Sequence, residues 1–421
     1  MTSELLVRQS PITIPEIAQL ICYFVDGKDM LNMALSCRTM YYAMIVRLWH
    51  TLQPRSHMVL RKLKNTLDGK GRHLKTNLDP QYNRLVRVFR WSLKEDVTTH
   101  MFERPFFDGF IFPRLDQLVF SYAAAQDSSV APMIRASSYL RYVDLSHCYC
   151  LSTDAIQPLL DMPLPRLETL ILYGCGKIES KALATLIQRH HRTLTCLRLT
   201  DITDDLLDVI QQCHHLQDLG LEHCSDYLTY DGLSRFAHAL EKQHIQLTRL
   251  RFRDIANLTS EHMERIAFSS GLSLVHLDMS ECARITSDGL AHMAPHCPSL
   301  DTLCLAYQSG VTDTSIQQFS QSCHQLKHLD VSGSRSLTDH AFAARGPPMG
   351  LTSLNLSGLE SQLSSDLIYQ LLIQLPALQE LCLGVAYDLK EAMVILDQVN
   401  ASGLLYEMNV EKCHTICRLR P

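Results

Sequence analysis

The sequence predicts an α/β solenoid, a curved parallel β-sheet inside with helices outside, preceded by a small all-α unit. Three observations lead there. A short apolar motif recurs twelve times, a helix-start signature follows many of its copies, and residues 11–53 obey neither pattern.

The motif is LxxLxL. It begins at Leu115, Leu140, Leu167, Leu194, Leu216, Leu247, Leu274, Leu300, Leu326, Leu351, Leu378 and Leu405, at intervals of 25–27 residues save one of 22 and one of 31. Alternating apolar residues make a short strand with one buried face. A single strand of this kind cannot bury that face alone, but stacked neighbours can, which is the physical basis of a repeat stack. Three residues beyond the last apolar position several repeats carry a cysteine: Cys148, Cys175, Cys224, Cys282 and Cys413. A small thiol suits a narrow interior corner where the chain turns. In the fourth repeat Ile202 serves there, and in later ones Gln308, Ser334, Leu359 and Ala386 do.

The second signature predicts a helix after each strand. Leu228-Thr229, Ile285-Thr286, Val311-Thr312 and Leu337-Thr338 are each followed by an apolar residue, Leu233, Leu290, Ile316 and Phe342, at hydrophobic-staple spacing. The Thr suits a helix N-cap. Asp204, Asp288, Asp313 and Asp339 fall in the first helical turn, where the helix dipole favours an anion. A degenerate strand, RLVRVFRW from Arg84, precedes the first regular copy.

Composition narrows the function. The chain has 421 residues, 46% apolar and 20% charged, with a formal net charge of −5. That is globular composition, too mildly acidic to suggest nucleic acid as a partner. No apolar run approaches the ~20 residues of a membrane helix, so no membrane partner is expected. The start does not read as a secretory signal, which points to a cytoplasmic or nuclear location. Fifteen cysteines, an odd number, then speak against a disulfide framework. The nearest approaches to a metal motif, His147-Cys148-Tyr149-Cys150 and Cys413-His414-Thr415-Ile416-Cys417, lack a matching second half. No metal, cofactor or catalytic residue is expected, because no nucleophile elbow, HExxH, phosphate loop or CxxC pair occurs.

Residues 11–53 read as three short helices. Ile17, Leu20, Ile21 and Phe24 have helical spacing, Asp26-Gly27 breaks the first helix, Asp29 is positioned to cap a second, and a third runs to Trp49. Such a small core leaves apolar surface for a partner to cover. Residues 54–114 form a basic linker and cap, with eleven Lys or Arg against three Asp or Glu in 54–95. The repeat array then spans 115–417.

Two family resemblances follow from these residues. LxxLxLxxC followed by (I/V/L)TD resembles the cysteine-containing class of leucine-rich repeats. The segment from Pro-Glu-Ile through Leu-Ser-Cys-Arg to Leu-Trp is similar to an F-box, with Met40 where Trp is common and Ser36 where Val is common. The F-box resemblance implies docking to a Skp-type adaptor and, through it, a cullin–RING ubiquitin-ligase core. The implied docking residues are Ile14, Pro15, Ile17, Leu20, Ile21, Phe24, Leu31, Leu35, Cys37, Arg38 and Trp49. Together the resemblances imply a non-catalytic substrate receptor. A leucine-rich-repeat scaffold outside any ligase is the alternative; a GTPase-activating repeat protein is disfavoured, since its longer, asparagine-cornered repeat is lacking.

In such a stack the sheet face is the usual binding surface for a protein substrate. Arg249, Arg251 and Arg253 alternate along one strand and share a face, and Arg198 occupies the equivalent column two repeats earlier. Guanidinium forks suit carboxylate or phosphate, so an acidic or phosphorylated segment is the expected ligand. Internal pairing with Asp218, Glu222, Asp278 and Glu281 competes with that reading. Tyr142, Tyr173 and Tyr307 are candidate aromatic anchors.

Overall fold

The computed structural model describes residues 15–68, 82–92, 107–122, 125–162, 166–343, 348, 350–359, 362–385, 387–404, 406–409 and 415–418. The chain divides into two compact units, 1–179 and 180–421.

The first unit opens with three helices, α1 (Pro15–Phe24), α2 (Gly27–Ala34) and α3 (Arg38–His50). Asp26, rather than Asp29, caps α2: its carboxylate accepts the Asp29 amide at 3.0 Å. Asp29 falls in the first turn instead. The helices close on Ala18, Cys22, Ala34, Met40 and Met44, with Ile21, Met30, Met33 and Leu48 packed around them. Then come β1 (Thr51–Leu52), α4 (His57–Leu67), β2 (Val88–Ser92), β3 (Gln117–Ser121), α5 (Asp127–Arg135), β4 (Tyr142–Asp144), α6 (Thr153–Asp161) and β5 (Thr169–Ile171). The strands pair in chain order and in parallel, through Thr51↔Val88, Val88↔Gln117, Gln117↔Tyr142 and Tyr142↔Thr169. The sheet therefore starts well upstream of the first regular motif. Its early strands are sealed by rings as well as leucines. Phe89, Trp91, Phe110, Phe112 and Phe120 are all fully buried, with Phe89 and Phe112 5.3 Å apart. Large side chains fill the space that a regular preceding repeat would otherwise occupy.

The second unit carries the most regular repeats. Its helices are α7 (Ser180–His190), α8 (Asp204–Ile210), α9 (Tyr230–Gln243), α10 (Ser260–Ser270), α11 (Ser287–Met293), α12 (Asp313–Ser322), α13 (His340–Ala343), α14 (Ser365–Gln374) and α15 (Leu389–Ala401). They alternate with β6 (Cys196–Thr200), β7 (Asp218–Glu222), β8 (Arg249–Arg253), β9 (His276–Asp278), β10 (Thr302–Cys304), β11 (His328–Asp330), β12 (Ser353–Asn355) and β13 (Glu380–Cys382), paired in parallel and in chain order. Each unit is thus a leucine-rich-repeat stack. The twelfth copy breaks the expectation. Its strand β14 (Tyr406–Asn409) does not continue the parallel series; β15 (Thr415–Arg418) inserts antiparallel beside β13, and β14 pairs with β15. A closing hairpin removes the regular open edge that a further parallel strand would have left.

Two hydrogen-bond ladders explain the repeat signatures. At the interior corner, Cys148 Sγ donates to the Phe120 carbonyl (3.6 Å), Cys175 Sγ to Leu145 O (3.1 Å) and Cys282 Sγ to Phe252 O (3.1 Å). Where cysteine is replaced, Ser334 Oγ donates to Leu305 O at 3.0 Å and the Gln308 amide reaches Met279 O. The corner thus selects a buried donor as well as a small volume, because the facing carbonyl would otherwise be unsatisfied. Leu359, buried without a donor, fits only the size requirement.

On the helical side, an aspartate at the start of one repeat's helix grips the cap of the next. Asp204 accepts both Thr229 N (3.0 Å) and Thr229 Oγ1 (2.5 Å). Asp313 does the same for Thr338 (2.8 and 2.6 Å), and Asp339 for Ser364 (2.9 and 2.5 Å). The aspartates therefore tie repeats together in addition to answering their own helix dipole.

Candidate functional site

Two surfaces stand out, one in each unit. The first lies on α1–α3. Packing requires only one face of helices this short, and four large side chains point away from the core. Leu20 is 60% exposed, Phe24 88%, Leu31 58% and Leu35 76%. Arg38 is also exposed. The other expected docking residues are placed differently. Ile17 is half-buried. Ile21 packs on the small helical core. Cys37 is the N-cap of α3, its sulfur accepting the Met40 amide at 3.5 Å. The Trp49 ring stacks on Tyr82, 4.3 Å away and 18° from parallel, so it anchors the helices to the chain that follows. Tyr82 also meets the Tyr41 hydroxyl at 2.9 Å. Pro15 begins α1, and Ile14 lies outside the described residues.

The structure adds residues that the sequence reading missed. Tyr42 and Val46 are half-exposed on α3. With Gln19, Cys22, Ala43, Arg47 and His50 they line an open groove of about 460 Å3 between α1 and α3. Their four-residue spacing was the available signal, and it was obscured because α3 is apolar on several sides.

The second surface is the sheet face of the second unit. The register aligns Arg198, Gly220 and Arg251 across β6, β7 and β8. Beside Gly220 on the same face of β7 is Asp218, whose side chain is 9% exposed. Arg198 donates to it through Nε (3.2 Å) and Nη2 (2.7 Å), and Arg251 through Nη1 (2.8 Å). Arg249 Nη1 stands 4.0 Å from the same carboxylate and is 56% exposed. Arg253 turns away to Glu281 at 2.7 Å. Internal pairing is therefore present, but it is uneven: three guanidiniums surround one carboxylate. The next strand responds to that excess. His276, paired with Arg249 in register, has its pKa pushed down to about 4 by burial and then by Arg251.

Among the candidate anchors, Tyr307 is 64% exposed and its ring lies over Gly333, where a Cβ would come within 2.4 Å of it. Tyr173 is buried at 8% exposure, which removes it as an open anchor. Tyr142 is half-buried on β4; it and Tyr173 belong to the first unit. Among the described residues no group of three or more potential ligand side chains could hold a metal ion, and no helix is long and apolar enough to cross a membrane. The corner thiols Cys175, Cys224 and Cys282 are pushed up to about 12 by burial, far from a nucleophile's range.

Fold and surfaces define the class: a leucine-rich-repeat protein with a helical N-terminal unit that exposes apolar side chains. Comparison with known proteins agrees as to fold. No family model matches the chain. It is 26% identical over 192 residues to F-box/LRR-repeat protein 4 of Bos taurus, covering 45% of this chain and 30% of the relative, so the match spans under a third of that protein's length. A chain of the yeast Rad7–Elc1 complex superposes with a TM-score of 0.57 at 17% identity, over 91% of this chain and 85% of that one. An internalin from Listeria monocytogenes aligns over 71% of this chain and 81% of that one, at a TM-score of 0.39 and 14% identity.

Proposed function

We propose that this chain is a substrate-recognition adaptor of an SCF-type ubiquitin ligase, its α1–α3 unit docking to a Skp-type adaptor and its repeats holding a protein substrate. The observation that carries the reading is the exposure of Leu20, Phe24, Leu31 and Leu35, all more than half exposed on helices with a very small core. Large apolar side chains left in water on so small a unit are the mark of an interface awaiting its partner. The similarity to a protein named F-box/LRR-repeat protein 4 supports the same reading.

The mechanism needs no catalytic residue on this chain. Holding the substrate near a loaded conjugating enzyme raises the effective concentration of its lysines, turning a bimolecular encounter into a local one. The cullin–RING core and ubiquitin transfer belong to partner subunits.

The test is capture of a purified Skp-type adaptor by the full chain, with a Leu31→Glu, Leu35→Glu variant beside it. The expected result is stoichiometric capture by the native chain and loss of about a hundredfold or more in affinity for the variant, since two buried leucines are each worth about 1.5–3 kcal/mol. The melting temperature should be unchanged, because both side chains are in solvent. A native chain that captures no adaptor would leave the scaffold reading in its place.

A further inference from the structure

The sheet face of the second unit changes sign along its length. Over β6–β8 lie Arg198, Arg249 and Arg251 around the carboxylate of Asp218, with Arg253 beside Glu222, its partner in register, so four arginines face two acids. Further along, the face columns carry Asp330 on β11 and Glu380 on β13, with His328, Ser353 and Asn355 between and beside them. These line a depression of about 300 Å3, with the β11 backbone at Leu329 beneath it and Cys304, Cys382 and Thr415 of the closing hairpin around it. The strands between the two regions, β9 and β10, present mostly smaller or neutral groups in the same columns: His276, Thr302 and Cys304, with Asp278 the exception. Asp278 and Asp330 are each engaged by their own loop, accepting N and Oγ of Ser280 (3.0 and 2.7 Å) and of Ser332 (2.9 and 2.7 Å), and Asp330 also accepts the Asn355 amide (3.0 Å), so Glu380 is the carboxylate exposed at the far end.

We propose that this face receives an extended segment of the protein substrate laid across the strands, with an anionic side chain at Arg249 and Arg251 and a cationic side chain about six residues away in the depression over β11–β13. The spacing comes from the sheet itself. The distance from β8 to β12 is four strand intervals, about 19 Å, and an extended chain advances about 3.3 Å per residue. Charge complementarity fixes the occupant. Arg249 has the most solvent access of the three arginines around Asp218 and the longest distance to it, which leaves it best placed to meet an incoming anion. Glu380 is exposed at the other end and lines the depression, whose volume is large enough for the end of a long cationic side chain. A segment of the opposite polarity would place like charges together at both ends.

This inference rests on the reading of the sheet face as the substrate surface, and it can be tested without the adaptor. The full chain is titrated with labelled serine–alanine peptides that carry one Glu and one Arg at separations from about two to about ten residues. A parallel series replaces Glu with phosphoserine, to tell a carboxylate from a phosphate at the arginine end. Binding should peak near a separation of six and exceed the uncharged peptide by about tenfold or more. Arg249→Glu and Glu380→Lys should each erode that preference, and the double variant should prefer the peptide with its two charges exchanged. Both positions are exposed, so the variants should melt as the native chain does. Absence of binding, indifference to separation, or unchanged binding by both variants would overturn the proposal. Failed adaptor capture with intact peptide selectivity would instead count against the ligase reading alone.

Discussion

Replacing Asp218 with alanine tests whether the arginine cluster is held together by one carboxylate. Asp218 accepts three charge-assisted hydrogen bonds, two from Arg198 and one from Arg251. The side chains of these two arginines are 24% and 17% exposed. Removing the acceptor of a buried ion pair costs about 3–5 kcal/mol, because the remaining charge stays desolvated. Here three positive charges would also face one another, while partial solvent access softens the effect, so about 3 kcal/mol is expected. In a repeat stack that loss is local, passing chiefly to neighbouring repeats. Amide hydrogen exchange of β6–β9 in the full chain is therefore the suitable assay. A 3 kcal/mol loss should speed exchange there by about a hundredfold, with amides of β11–β13 little changed. Arg249→Ala is the control. At 56% exposure and 4.0 Å from Asp218 it should cost about 0.5 kcal/mol or less. If Asp218→Ala exchanges no faster than Arg249→Ala, the carboxylate does not organise the cluster and the reasoning fails.

Three further outcomes follow from the same structure. His276 titrates near 6.5 when unfolded but near 4 in the folded chain, so the unfolded state binds the proton first; its contribution is complete above about pH 6.5 and disappears as pH falls toward 4. Urea midpoints measured between those values should fall less for His276→Gln than for the native chain. Asp313→Ala should cost about 1–2 kcal/mol in thermal or denaturant unfolding, because it removes two bonds that grip the Thr338 cap of the next repeat. Gly333→Ala should cost about 1–2 kcal/mol, since the backbone there has φ +65° and the new methyl meets the Tyr307 ring; a neutral result by calorimetry would show that the rim can move aside.

The repeat itself was legible because it is a matter of periodicity. Leucines that recur mostly every 25–27 residues announce their own strands, and each copy from Leu115 to Leu378 has a strand that begins two residues after its first leucine. The caps were legible for the same reason: Thr286, Thr312 and Thr229 cap helices that the local sequence announces. The last copy was misread, because LYEMNV has the pattern of one more parallel rung and nothing local records that β15 will take the place beside β13. The N-terminal helices were found from spacing, but the outward direction of each side chain was not. Ile21 and Leu20 are adjacent and both apolar; one packs on the small helical core, and the other is 60% exposed.

Sequence alone determined the architecture, since a periodic apolar pattern can bury itself in few ways. It also supplied the arginines, as residues of one column. Only the tertiary structure decided their electrostatic state. Asp218 approaches Arg198 and Arg251 from 20 and 33 residues away in the chain, and whether a charge is matched depends on a distance of a few ångströms that no linear spacing encodes. The same holds for the corner cysteines. Their recurrence was plain in the sequence, but the carbonyls that Cys148, Cys175 and Cys282 face belong to the preceding repeat and come within reach only once the two are stacked.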